Sequence, residues 1–140
     1  GDILKELGEP FTNYKYDIII FGDVIEHVEN PGLALTNLKK LCGKNTEIIL
    51  TTPNVWSIFR ILNNFRKNEK VHPDHMFWPS KYTLDNLLNR TGYEITDFEY
   101  VFYGSKNDKN RWKSKILFKL INIKNSVVGT CLLYRIKPKK

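Results

Sequence analysis

Residues 16–30, with the sequence YDIIIFGDVIEHVEN, predict how the rest of the chain folds. The stretch begins with an apolar run at 18–21, which is typical of a strand buried on both faces. Gly22 and Asp23 end this run. Open α/β sheets carry their functional side chains at the carboxyl ends of the strands. We therefore expect the residues that follow this strand to form a site.

Asp23, Glu26 and His27 lie at positions i, i+3 and i+4 after the strand. One helical turn would bring these three side chains to the same side of the chain. An imidazole that is neutral near pH 7 can take a proton from a substrate hydroxyl. Carboxylates beside an imidazole can also bind a divalent ion such as magnesium, manganese, iron or zinc. The residue types leave both alternatives open.

The next residues predict a strand–helix–strand unit. Asn30 is a favourable N-cap, and Pro31 suits the first helical position. Apolar residues then recur at helical spacing as far as Cys42, and Gly43 is expected to end the helix in the left-handed conformation. The apolar stretch 47–52 predicts a second strand. Two strands joined in this way are expected to be parallel, with a right-handed crossover.

The rest of the chain predicts three more helices, one of them the amphipathic stretch 111–124, and two more strands. A helical stretch at 55–66 either forms a lid over the site or packs on the sheet. Ser80 is expected to cap a helix that Gly92 ends. Residues 93–102 predict a strand in which the apolar parity changes, as at a bulge. The apolar stretch 127–136 predicts the last strand.

The composition indicates a single domain spanning residues 1–140, since a chain of this length with 41% apolar residues can bury one core. It contains no apolar run of about 18 residues, the length of a membrane-spanning helix. We see no signal peptide either, and we expect a cytoplasmic protein. Cys42 and Cys131 lie far apart in apolar surroundings, which favours buried reduced thiols over a disulfide or a metal site.

The net charge of +7 comes from the second half of the chain, because residues 1–70 carry nine basic and nine acidic side chains. This asymmetry fits an anionic partner or a solvated lysine-rich face. We favour the solvated face over nucleic acid, because aromatic residues do not alternate with the charges. The basic amphipathic stretch 111–124 could lie on a membrane surface, but we favour its packing on the sheet.

The stretch 16–30 resembles the fourth strand and acidic post-strand turn of the class I S-adenosylmethionine-dependent methyltransferases. Within that family it is most similar to the subgroup with an Asp/Glu-x-x-Glu-His turn, which includes the ubiquinone-type O-methyltransferases. The resemblance implies an α/β, Rossmann-like methyltransferase sheet with parallel strands. It also implies that the last strand inserts antiparallel beside the second strand of this chain. Residues 75–78, HMFW, match a family loop that closes over the active site.

The resemblance assigns residues to the cofactor, S-adenosylmethionine. Gly1 and Asp2 match the Gly-Asp pair that ends the family's third strand, which implies that Asp2 reaches the adenine amino group and that the next residue, Ile3, packs on the ring. Phe21, Gly22 and Asp23 would line the cofactor at the end of the fourth strand, with Gly22 permitting close approach of the backbone.

The resemblance also implies roles on the acceptor side. His27, Asp23 and His75 would be the catalytic residues. Some members of the subgroup hold a divalent metal at this turn, which implies Asp23, Glu26, His27 and His75 as ligands. We favour the alternative that Glu26 and His27 hydrogen-bond neighbouring segments. His72 is expected to be an ordinary loop residue.

The glycine-rich turn that holds the cofactor's methionine end in such folds is absent, because the chain contains no Gly-x-Gly. The resemblance therefore covers only the C-terminal part of the family's domain, and we expect a methyltransferase truncated at the N-terminus.

The expected function is methyl transfer from S-adenosylmethionine to an oxygen of a small molecule, sugar or lipid precursor. The alternative is a truncated non-catalytic fragment or pseudo-enzyme that acts as a binding, scaffolding or basic surface module. Exposed sheet edges would favour self-association.

Overall fold

The computed structural model describes residues 3–5, 13–66, 71–102 and 125–139. Asp2 and the amphipathic stretch 111–124 lie outside these ranges. The described elements are β1 (Tyr16–Gly22), α1 (Pro31–Leu38), β2 (Cys42–Pro53), α2 (Ile58–Phe65), α3 (Lys81–Arg90), β3 (Tyr93–Val101), α4 (Asn125–Val128) and β4 (Cys131–Pro138). None of the helices in these ranges has the length and apolar character needed to cross a membrane.

The four strands form one mixed sheet in the order β1-β2-β4-β3. β1 and β2 pair in parallel, as expected for strands joined by a crossover helix. β4 pairs antiparallel with β2 on one side and with β3 on the other. The predicted α/β sheet is therefore confirmed, including the antiparallel last strand beside the second strand.

The predicted start of α1 is confirmed, but its predicted end is wrong. The Asn30 side chain accepts a hydrogen bond from the Leu33 N–H at 3.0 Å, and Pro31 occupies the first turn. The helix tightens into a 3-10 turn at Lys39–Leu41, and Cys42 is already extended with φ −86° and ψ 139°. Gly43 thus belongs to β2 and does not adopt the left-handed conformation, because the chain enters the strand directly.

The predictions for α3 and β3 are confirmed. The Ser80 hydroxyl accepts the N–H of Thr83 at 3.2 Å, which caps the helix. Gly92 follows the helix with a φ of +75°, a conformation that glycine adopts without steric cost. The register of β3 shifts between Ile95 and Asp97, which explains the change of apolar parity along this strand.

The core lies between the sheet and helices α1 and α3. It is built mainly from the buried residues Phe21, Ile25, Leu35, Leu38, Ile48, Leu50, Leu84, Leu88, Tyr93, Leu132, Tyr134 and Ile136. Two buried phenols tie the helices to the strands. The Tyr93 hydroxyl donates to the Leu35 carbonyl at 2.8 Å, and the Tyr134 hydroxyl donates to Asp85 Oδ1 at 2.8 Å. Burial raises the pKa of both phenols above its usual value, so both remain hydrogen-bond donors.

The prediction that β1 is buried on both faces is wrong. Phe21 is in the core, and Ile19 packs against it. The side chains of Ile18 and Ile20 are 63% and 77% exposed. β1 lies at one end of the sheet, and no part of the described chain covers the face that carries these two isoleucines.

Tyr93→Phe should lower the free energy of unfolding by about 1 kcal/mol, the net value of a typical buried hydrogen bond. Urea denaturation with an unchanged m-value would measure this loss. Tyr82→Phe is the matched control, because Tyr82 is 75% exposed and its substitution should leave stability unchanged. Equal midpoints for the two variants would contradict a stabilising role of the Tyr93–Leu35 bond.

Candidate active site

The candidate site begins at a sharp turn where β1 ends. Asp23 has a φ of +50°, a left-handed conformation that aspartate tolerates because its short side chain can bond locally. Its backbone N–H donates to the Thr51 carbonyl at 3.0 Å. The Thr51 hydroxyl donates to Asp23 Oδ1, also at 3.0 Å. The parallel neighbour β2 therefore fixes both the backbone and the carboxylate of Asp23.

Glu26 joins this turn to two other segments. It lies in a short 3-10 turn, Ile25–His27, and is only 1% exposed. Its Oε2 accepts a hydrogen bond from the Thr52 hydroxyl at 3.0 Å. Its backbone carbonyl accepts the N–H groups of Met76 at 2.7 Å and Phe77 at 3.0 Å. Burial raises the pKa of the Glu26 carboxyl, and its hydrogen bonds partly oppose this shift.

The loop held by Glu26 brings His75 against His27. Their ring centroids are 4.5 Å apart, and the rings meet edge to face. His27 Nδ1 lies 3.2 Å from the Asp74 carbonyl oxygen. A carbonyl can only accept, so Nδ1 carries the proton and Nε2 keeps a free lone pair. The Trp78 Nε1–H donates to His75 Nδ1 at 2.9 Å, and burial lowers the pKa of His75.

His72 completes this histidine cluster, although the sequence prediction treated it as an ordinary loop residue. Its ring centroid lies 5.7 Å from that of His27 and 5.6 Å from that of His75. One possible ligand atom from each of the three residues lies within 4.8 Å of the other two. The spacing His72-x-x-His75 was present in the sequence and could have drawn attention to His72.

One cavity of about 230 Å³ is lined by the three predicted catalytic residues, Asp23, His27 and His75. The full lining consists of Asp23, Glu26, His27, Pro53, Arg60, His75, Thr130 and Cys131.

Sequence reasoning did not find four of the eight lining residues, which are Pro53, Arg60, Thr130 and Cys131. α2 borders the cavity through Arg60. The Arg60 guanidinium lies 4.5 Å from the centre of the Trp78 ring. Every residue of α2 is at least partly exposed. Burial raises the pKa of Cys131 to about 11, so its thiol stays protonated at neutral pH. Cys42 and Cys131 are both free and half-buried.

Three of the predicted cofactor residues do not line this cavity. Ile3 packs against the core, and its carbonyl accepts the Asn37 amide at 2.9 Å. The Phe21 side chain is in the core, which leaves its backbone as the part available to a ligand. Gly22 is exposed, and a Cβ at this position would lie 3.3 Å from Thr51 Oγ1. Asp23 is therefore the predicted cofactor residue that does line the cavity.

A family model described as a methyltransferase domain matches residues 3–97, well over half of the chain. The chain belongs to this methyltransferase family. A search of curated proteins finds no significant match.

Solved structures show the same fold at low sequence identity. The small RNA methyltransferase HEN1 is 17% identical with a TM-score of 0.64, and the alignment covers 100% of this chain and 15% of that one. A possible histamine N-methyltransferase from Thermotoga maritima is 16% identical with a TM-score of 0.65. This alignment covers 99% of this chain and 62% of that one.

A third structure is magnesium protoporphyrin IX methyltransferase from Synechocystis PCC 6803 with bound S-adenosylhomocysteine. It is 13% identical with a TM-score of 0.58, and the alignment covers 100% of this chain and 49% of that one. The chain spans less than two thirds of the length of each of these three proteins. The family match and these structural similarities together show that the chain has the class I S-adenosylmethionine-dependent methyltransferase fold.

The stability of the Glu26→Gln variant relative to that of the wild type should increase as pH rises. The raised pKa means that the folded state favours the protonated carboxyl. This preference stabilises the folded wild type fully when the pH is below 4.5, the ordinary pKa of the group. The stabilisation is lost as pH rises through the folded-state pKa. Gln resembles the protonated acid at every pH. Thermal midpoints of both proteins at pH 4 and pH 8 would measure the trend, and a difference that falls toward pH 8 would contradict it.

Proposed function

We propose that this methyltransferase chain contributes to methyl transfer from S-adenosylmethionine to an oxygen of a small molecule, sugar or lipid precursor. The observation that carries the proposal is the state of His27 at the carboxyl end of β1. Its Nδ1 proton is directed to the Asp74 carbonyl, which leaves Nε2 able to accept a proton from a substrate hydroxyl. The turn formed by Asp23, Glu26 and His27 supports placement in the ubiquinone-type O-methyltransferase-like subgroup.

The end of β1 fits one wall of a cofactor site. Gly22 is exposed, and a Cβ there would be crowded by Thr51 Oγ1 at 3.3 Å, so a glycine keeps this stretch of backbone accessible to a ligand. The Asp23 carboxylate lines the neighbouring cavity and carries a charge that complements a sulfonium. We propose that Phe21, Gly22 and Asp23 line the cofactor. When bound, S-adenosylmethionine supplies the electrophilic methyl group.

We propose from the family resemblance that Ile3, which follows Asp2, packs on the adenine ring. It lies near α1, since its carbonyl accepts the side-chain amide of Asn37. Ile3 also packs against the core cluster that contains Phe21.

His27, Asp23 and His75 are proposed to act on the methyl acceptor. His27 takes the hydroxyl proton as the methyl group is transferred, and a positioned base of this kind contributes about 10²–10⁴-fold to a rate. His75 meets the His27 ring edge-on, and its lowered pKa keeps it neutral at pH 7. Asp23 lines the same cavity from the β1 side. A small-molecule acceptor that enters this cavity is the proposed partner.

As an alternative to the role of His27 as a base, the family resemblance supports a divalent ion held by Asp23, Glu26, His27 and His75. Carboxylate oxygens suit hard cations, and a bound ion would lower the pKa of a coordinated hydroxyl. Both carboxylates are oriented by threonine hydroxyls on β2. Among the described residues, however, the mutually close ligand atoms of His27 and His75 are joined by those of His72 and not by the two carboxylates.

Self-association through β1 is proposed on the exposure of one face of this end strand. Ile18 and Ile20 leave an apolar strip there, and within the described residues β1 pairs with β2 alone. An edge strand of this kind is a ready template for pairing with another strand.

Thermal shift measurements on the protein at its natural length would test the proposed cofactor site. S-adenosylmethionine and S-adenosylhomocysteine, each at about 100 times its dissociation constant, should stabilise the protein by about 2.7 kcal/mol. Asp23→Asn should weaken the binding of S-adenosylmethionine more than that of S-adenosylhomocysteine, because only S-adenosylmethionine carries the sulfonium charge.

Asp17→Asn is the matched control for this experiment, because Asp17 lies at the opposite end of the same strand. It should leave both ligand shifts unchanged. Absence of a shift with either ligand in the wild type would contradict the proposed function. Equal ligand shifts for Asp23→Asn and the wild type would exclude Asp23 from the cofactor site.

A further inference from the structure

All three histidines of the chain meet in one cluster. His27 follows β1, whereas His72 and His75 lie on the loop before α3. The sequence contains no other histidine. One ring nitrogen of each lies within 4.8 Å of the others, and the rings of His27 and His72 are exposed to solvent. The fold thus joins residues that are more than 40 positions apart into one group of imidazoles.

We propose that His27, His72 and His75 bind one transition-metal ion that prefers nitrogen ligands, with zinc as the reference metal. Imidazole suits zinc, cobalt and nickel better than magnesium or calcium, which prefer oxygen. Zinc–nitrogen bonds are about 2.0–2.1 Å long, so small rotations of the exposed rings would bring the three nitrogens onto one ion. Three protein ligands leave a coordination position open for water or a substrate oxygen.

Asp74 contacts two of the three proposed ligands and orients one of them, His27, for metal binding. Its carbonyl fixes the proton of His27 on Nδ1, which leaves Nε2 free to bind the metal. Its carboxylate Oδ2 lies 3.7 Å from His72 Nδ1. The Asp74 backbone N–H donates to His72 Nδ1 at 3.3 Å, so the neutral His72 ring carries its proton on Nε2. To bind a metal, His72 must either give up this hydrogen bond or move its proton from Nε2 to Nδ1, where the carboxylate can accept it. A carbonyl behind a ligating histidine, as at His27, is a recurring feature of metal sites.

His75 must exchange one hydrogen bond to become a ligand. Its Nδ1 accepts the Trp78 Nε1–H, so the neutral ring carries its proton on Nε2. Binding through Nδ1 uses the lone pair that Trp78 now occupies. Binding through Nε2 moves the ring proton to Nδ1, where it meets the indole N–H. Either route releases Trp78 and should change its fluorescence.

The charges around the cavity permit a dication. Arg60 lines the cavity beside His75 and opposes a positive ion. The carboxylates of Asp23 and Glu26 line the same cavity and supply compensating negative charge without belonging to the ligand group. Metal binding itself does not depend on methyl transfer. A role for the ion in activating an acceptor hydroxyl would rest on the function proposed above.

Titration of the tag-free protein with Zn²⁺ and Co²⁺ would test the proposal, with calorimetry and tryptophan fluorescence as readouts. We expect one ion per chain and a fluorescence change that is absent in Trp78→Phe, which should bind at least as tightly as the wild type. His72→Ala should weaken binding by at least about tenfold, the smallest loss usual for outer-shell partners of metal ligands. Met76→Ala, an exposed substitution on the same loop, is the matched control and should bind as the wild type does.

Two further sets of variants separate this site from its alternatives. Asp23→Asn and Glu26→Gln should retain binding within a few-fold if imidazoles alone hold the ion. Cys42→Ser and Cys131→Ser should also retain it. Wild-type affinity in His72→Ala, or loss of binding in either cysteine variant, would overturn the three-histidine site. Because each result is a binding measurement, it stands whether or not the cofactor shifts are observed.

Discussion

Glu26 is the residue on which the arrangement of the site depends. Its carboxyl is bonded to Thr52 on β2, and its carbonyl receives the N–H groups of Met76 and Phe77. One residue therefore ties the turn after β1, the neighbouring strand and the histidine loop together. A buried carboxyl is unfavourable unless it is hydrogen-bonded, and the bond from Thr52 offsets part of this cost.

The chemistry of the cavity follows from this fixed loop. Because Met76 and Phe77 are held, Asp74 and His75 arrive beside His27, and Trp78 arrives below Arg60. The Asp74 carbonyl then selects the His27 tautomer that can accept a proton or bind an ion. The same imidazole thus supports both an acid–base role and a metal-ligand role, and the occupant of the cavity decides between them.

Local sequence patterns predicted much of the fold, since caps, turns and strand parity depend on neighbouring residues. Asn30, Ser80 and Gly92 have the predicted roles for this reason. The exposure of Ile18 and Ile20 was not predictable, because burial depends on whether another element covers that face. In the site, Asp23, Glu26 and His27 share one turn and were identified by their spacing. Arg60, Cys131 and His72 join them only through tertiary packing, which spacing within one segment does not reveal.

Hydrogen exchange at the backbone amides of Met76 and Phe77 tests most directly whether Glu26 holds the histidine loop at the end of β1. Both amides should exchange as slowly as those of the β2–β4 ladder, because each donates to the Glu26 carbonyl in the folded state. Exchange at the rate of an unstructured peptide would show that the loop is not held there. His27 and His75 would then lack the fixed geometry on which the candidate site depends.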